Sequence, residues 1–223
     1  MPELTRLAKR TRAFVQRLGL DRSGVAMIEF AYTAPFFVLL LGGGVELANF
    51  AITHMRISQA AVSLADNASR AKQGVVSGMP RMREVDVNEA FHAANLQGSD
   101  LQLTNRARLI LSSVEVNRDG GQWIRWQRCF GQGGFNSSYG QQGDGATGTS
   151  IAGVGPVGRG ISAESGVAVM FVEVAYDYRP LIMESIVGPT TIRKTAAMMV
   201  RDQRDLSVGI VNPSPTVAVS RCD

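Results

Sequence analysis

Apolar residues run almost without interruption from Val25 to Ile52, broken by Glu29, Glu46 and a few small polar positions. Phe30 to Val45 is 16 residues without a charge, which makes about 24 Å of helix at about 1.5 Å per residue. A bilayer core of about 30 Å needs slightly more, so flanking residues complete the span with Glu29 and Glu46 at its two interfaces. The pattern predicts a transmembrane helix over residues 25–50. Pro35 lacks an amide hydrogen and crowds the carbonyl of Ala31, which predicts a kink, and Gly42-Gly43-Gly44 is a second weak point. Either the helix tolerates these residues, as membrane helices do, or they let it bend. Beyond Glu46, Ile57, Ala61, Leu64 and Ala68 keep helical spacing on one face, with Arg56, Gln59, Asp66 and Arg70 elsewhere around the helix. One long helix over 25–72 is expected, lipid-bound in its first half and packed on a head by its second. Residues 51–80 are thus an amphipathic extension and linker, ended by Gly74, Gly78 and Pro80.

The period then changes. Asp86-Val87-Asn88-Glu89 has the spacing of a helix cap, and Val87, Ala90, Phe91 and Ala94 line one face up to a stop at Gly98. Arg108–Val116 and Gln122–Cys129 read as strands flanking Asn117-Arg118-Asp119-Gly120-Gly121, whose Asp-Gly pair predicts a hairpin. Val167–Tyr178 is a third strand, and Ile192–Val200 a fourth, although Lys194–Met199 fits a helix equally. Residues 81–223 are therefore expected to form an α+β head, a small antiparallel sheet with a short helix laid across it. Between the strands, residues 131–160 hold 11 glycines and read as a long flexible loop. On strand alternation, Trp123 and Trp126 fall on opposite faces.

The net charge of +4 invites a nucleic-acid function, but its location argues otherwise. Residues 1–24 carry six Lys/Arg against Glu3 and Asp21, and the remainder is neutral, so no nucleic-acid surface is expected. Leu4, Leu7, Phe14, Val15 and Leu18 give this segment near-helical apolar spacing. It either lies on anionic membrane lipid as an amphipathic helix or serves as a solvated positive tail. In both cases it places the N-terminus in the cytoplasm and the head outside. Cys129 and Cys222, the only cysteines, then share an oxidising compartment, so a disulfide is expected, with two unpaired thiols as the other possibility.

Catalytic chemistry finds little footing. His54 and His92 are far apart without metal-ligand spacing, and no metal or other cofactor is expected. Gly153-Val154-Gly155-Pro156-Val157-Gly158 fits a dinucleotide-binding pattern formally, but no strand enters it and Pro156 interrupts it. Gly148-Thr149-Ser150-Ile151-Ala152 approaches a nucleophile elbow, and no downstream histidine exists to serve Ser150. Asp119 and Asp144 sit in Gly-rich turns and are expected to form them. An enzyme is not expected; an anchored hydrolase using Ser150 ranks last. An uncleaved, membrane-anchored binding module is the main alternative.

The most telling run is Ser23-Gly24-Val25-Ala26-Met27-Ile28-Glu29-Phe30. An acidic residue in a membrane helix costs about 2.5 to 3.5 kcal/mol at the bilayer centre and less near the headgroups, so Glu29 requires a purpose. Cleavage after Gly24 would free an ammonium on Val25 that could pair with Glu29. These residues resemble a prepilin peptidase site, and with Glu29-Phe30-Ala31 and Pro35 they resemble the TadE-like pseudopilins of the tight adherence (Flp) pilus. The resemblance implies a minor pseudopilin of the bacterial inner membrane whose leader, residues 1–24, is removed. Gly24 and Val25 would flank the scissile bond, and Glu29 and Phe30 would serve docking. The implied partners are a prepilin peptidase, other pilins and pseudopilins, the Tad inner-membrane machinery and membrane lipid. Val25 departs from the Phe of major type IV pilins, and the head is far larger than that of major Flp pilins.

Overall fold

A computed structural model describes residues 12–19, 23–71, 78–182, 184 and 188–222. The architecture is α+β, a long apolar N-terminal helix and a head with a small antiparallel sheet and short helices. The chain divides into two compact units, Met1–Leu47 and Ala48–Asp223.

Residues 12–19 are helical and exposed, Phe14, Val15 and Leu18 included. Helix α1 (Ser23–Arg70) runs 48 residues with Pro35 inside it. Within the second unit its predicted stripe is fully buried: Ile57, Ala61, Leu64 and Ala68 are all 0% exposed. Most of the expected linker, residues 72–77, lies outside the described residues, Gly74 among them; Gly78 has a φ of +95°.

The head opens with β1 (Met82–Arg83) and helix α2 (Glu84–Gln97), followed by a 3-10 turn (Ser99–Leu101) and helix α3 (Leu103–Arg106). Here the sequence expectation is corrected. Asp86 does not start α2 as its cap but occupies the third helical position. Its carboxylate accepts from the Arg83 backbone amide at 3.0 Å and from the Arg83 guanidinium, so the helix begins upstream of the expected cap. Gly98 does end α2, with a φ of −97°. The reason is space: a Cβ there would lie 2.4 Å from Leu103 Cδ1.

Strands β2 (Ala107–Val116), β3 (Gln122–Phe130), β4 (Val169–Tyr178) and β5 (Thr190–Met199) form one antiparallel sheet in the order β3-β2-β4-β5. β6 (Ile210–Val211) pairs in parallel with β1. The ambiguous fourth element is a strand, because every residue of Thr190–Met199 pairs with β4. The hairpin forms as its sequence dictates, with Gly120 at φ +87° and Asn117 Oδ1 accepting from the amides of Asp119 and Gly121.

One sheet face packs Leu109, Leu111, Met170 and Val172 against the second half of α1 and against Val87 and Phe91 of α2. The other face carries Val114, Ile124, Val169 and Phe171, covered by Val154, Ala163 and their neighbours. The segment expected to be a flexible loop is therefore a packed cover. It also closes the outer edge of β3: the Ile124 amide donates to Asp144 O at 2.9 Å, and the Gln122 amide to Ile151 O at 3.1 Å. Gly145 makes the close approach possible, since a Cβ there would lie 2.1 Å from Gln122 O.

The two tryptophans are also corrected. The β2–β3 register shifts between Ser113 and Val114, so Trp126 opposes Ser113 and Trp123 opposes Glu115. Ser113 and Glu115 share a face, as their 2.9 Å hydrogen bond shows. A bulge at Arg125 thus brings both tryptophans to the same side, which simple alternation excludes.

Candidate functional site

The first unit supplies its site from helix geometry alone. Gly24 and Val25 lie at the start of α1, and a Cβ placed on Gly24 meets nothing within 4 Å. Glu29 is exposed one turn after Val25, so the two share a helix face. Thr33 donates its hydroxyl to the Glu29 carbonyl at 2.9 Å and to that of Phe30 at 3.3 Å. This local bond lies beside Pro35, a residue that cannot donate to the ladder. Exposure goes all round the helix, with Met27 at 73%, Phe30 at 69% and Phe36 at 75%. A helix apolar on every side is a membrane span or the core of something larger. This one is long and apolar enough to cross a bilayer and is a candidate anchor. Of its two flanking carboxylates, Glu29 is exposed and Glu46 is buried.

In the head, the expected disulfide joins Cys129 to Cys222 across 93 residues of sequence. It anchors a strap along the remaining edge of β3, where the Cys129 amide donates to Ser220 O at 2.8 Å. Asn88 of α2 binds Ala218 O and the Ser220 hydroxyl, each at 2.8 Å. Buried charges escaped the sequence reading altogether. Arg128 makes a multiply bonded ion pair with Glu84 of α2. Arg204 donates to the carbonyls of Ala68, Ser69 and Ala71 and so caps the C-terminus of α1 with a cation, where the helix dipole favours one. Burial lowers the Arg204 pKa, opposed by Asp86, Asp202 and Glu115. Burial also raises the pKa of Glu115 against its bonds to Ser113 and Arg125, and that of Glu173 against those from Ser137 and Ser138. Arg128 and Arg204 find these partners 44 or more positions away, which leaves no local signal in the chain.

The remaining expected sites acquire no constellation. Ser150 is exposed, and among the described residues no group of three or more His, Cys, Asp or Glu is placed to hold a metal ion. Asp119 and Asp144 accept from the amides of Gly148 and Gln141 respectively, which makes both of them turn formers. Gly153–Gly158 leads into a bridge between Val154 and Ile161, and no helix opens from it.

An α+β head preceded by one long apolar helix places the chain in the class of candidate membrane-anchored proteins. Residues 24–66 match the model of the family described as TadE-like protein, which supports a TadE-like protein of the Tad pilus system. Neither the curated proteins nor the solved structures yield a match to the chain.

Proposed function

We propose that the chain is the precursor of a minor pseudopilin, cut after Gly24 by a prepilin peptidase and used in assembly or initiation of the Tad pilus. The observation that carries this assignment is the coincidence of the family match, which begins at residue 24, with an apolar helix whose early charge is Glu29. Cleavage removes residues 1–24 and leaves an ammonium on Val25, one turn from Glu29 on the same face. Within one subunit, or between neighbours, that ammonium neutralises the carboxylate and lowers the cost of holding it among apolar helices. The exposed apolar surface then exchanges lipid for other helices, while the head stays in the periplasm and meets partner pilus components. In this scheme the protein is the substrate of an enzyme.

The test is the N-terminus of the membrane-extracted protein from pilus-building cells, read by mass spectrometry. A chain beginning at Val25 is expected, and one beginning at Met1 overturns the proposal. Gly24→Ala is the matching variant. Because a methyl group there meets no neighbour, loss of the processing shift reports recognition by the peptidase and not a disturbed fold.

A further inference from the structure

The two edges of the head sheet are finished differently. Backbone groups of the Gly-rich cover and of the C-terminal strap bond to the outer edge of β3. The opposite edge belongs to β5, which ends the strand order. Among the described residues, no backbone group of Thr190–Met199 bonds to anything beyond β4. In an antiparallel pair, alternate residues turn their N–H and C=O groups away from the partner, so β5 presents such a row along 10 residues. The strand contains no proline and keeps one register with β4 from Thr190 to Met199. Native sheets ordinarily shorten, bulge or cover an edge of this kind, or charge it.

Here the edge is charged, and with one sign. A cavity of about 340 Å³ lies beside the middle of β5, with Arg159, Glu173, Arg193 and Lys194 in its lining. The Arg193 guanidinium is held over the Phe135 ring, 5.3 Å from its centroid, and donates to the Ser138 hydroxyl at 3.2 Å. Glu173 is engaged elsewhere, accepting from the Ser137 hydroxyl and from the Ser138 amide. Among the described residues, none of Arg159, Arg193 and Lys194 forms an ion pair. Arg193 and Lys194 are neighbours in a strand and so stand on opposite faces. A strand laid along β5 therefore meets a cation on each of its faces.

We propose that the β5 edge docks an extended, acidic segment of a protein partner, which adds to the sheet as a further strand and sets carboxylates against Arg159, Arg193 and Lys194. Main-chain hydrogen bonds supply affinity in this mode of recognition, and side-chain contacts supply specificity. Charge decides the occupant. A second copy of β5 brings the same cations and no carboxylate, and like charges across a strand pair are destabilising. The proposal is independent of cleavage after Gly24.

The experiment uses the full chain in detergent with its disulfide intact, titrated by fluorescence anisotropy with three labelled, end-blocked nonapeptides. Each alternates threonine and valine around three central residues. These are glutamates in the first peptide and lysines in the second; the third keeps the glutamates but has proline at every valine position, which removes amide donors. The glutamate peptide is expected to bind at least about tenfold more tightly than either of the others, and its isotope-labelled carbonyls should absorb in the β-strand range of the infrared when bound. Replacing both arginines, Arg159→Glu with Arg193→Glu, should reverse the preference toward the lysine peptide, a gain that an unfolded chain cannot give. Should that variant not fold, the three peptides on the wild-type chain decide alone. Equal binding of the glutamate and lysine peptides overturns the proposal, as does no binding of the glutamate peptide up to about 1 mM. Equal binding of the proline peptide also overturns it, since charge alone would then hold the peptide without a strand. A dimer of the chain that excludes the glutamate peptide would give the edge to a second copy and overturn it as well.

Discussion

The two halves of α1 differ in who provides their surroundings. Leu39, Leu40 and Leu41 are 55%, 70% and 65% exposed, while Ile57 and Leu64 are completely buried by the head. Apolar surface removed from water stabilises by about 25 cal/mol per Å² whichever phase removes it. The second half finds that phase within its own chain. The first half must find it in lipid or in other helices, so its stability is conditional on assembly state while that of the head is not.

Leu64→Ala is expected to have the largest effect of the substitutions considered, lowering head stability by about 2 to 5 kcal/mol through a cavity the core does not refill. Leu40→Ala should leave the denaturant midpoint of the head unchanged; an equal loss at both positions would mean that the halves unfold as one. Replacing Cys129 and Cys222 together by Ser is expected to cost about 2 to 4 kcal/mol in the same measurement, because the unfolded head regains the freedom of a long loop. Unchanged stability would show that the C-terminal strap is held by its hydrogen bonds alone.

A smaller effect is expected from pH. Burial raises the Glu173 pKa in the folded head above its unfolded value, so the folded state binds more protons between the two values. Linkage then makes stability fall as pH rises from the ordinary carboxylate range through the raised pKa, and level off above it. Glu173→Gln should flatten that part of the curve, and a retained slope would assign it to another group, with Glu115 the next candidate. The smallest effect on folding belongs to Glu29→Ala, which should leave head stability and membrane insertion intact while abolishing piliation. Normal pili from that variant would remove the docking role of the carboxylate.

Much of the architecture was legible because its causes are local. The apolar run, the stripe from Ile57 to Ala68, the Asp119-Gly120 turn and the four strands all follow from periodicity or turn chemistry within a few residues. The departures share a different cause. Asp86 has the local spacing of a cap, but Arg83 offers it both an amide and a guanidinium and draws it into the third helical position. Alternation alone puts Trp123 and Trp126 on opposite faces, because a bulge in a strand pair leaves no mark in one strand's pattern. The 131–160 segment looked flexible because its glycines, read one at a time, say nothing of the sheet face they cover.

Residues 24–30 carried the functional assignment, since a glycine, an apolar run and a carboxylate one turn beyond Val25 are chemistry that needs no tertiary partner to be recognised. The cap that Arg204 places on α1, the pairing of Arg128 with Glu84 and the hydrogen bond from Asn49 to Tyr178 had to await the folded chain. Each joins groups 44 or more positions apart, and a pairing at that separation is chosen by the packing of the whole head, with no local pattern in the chain to announce it.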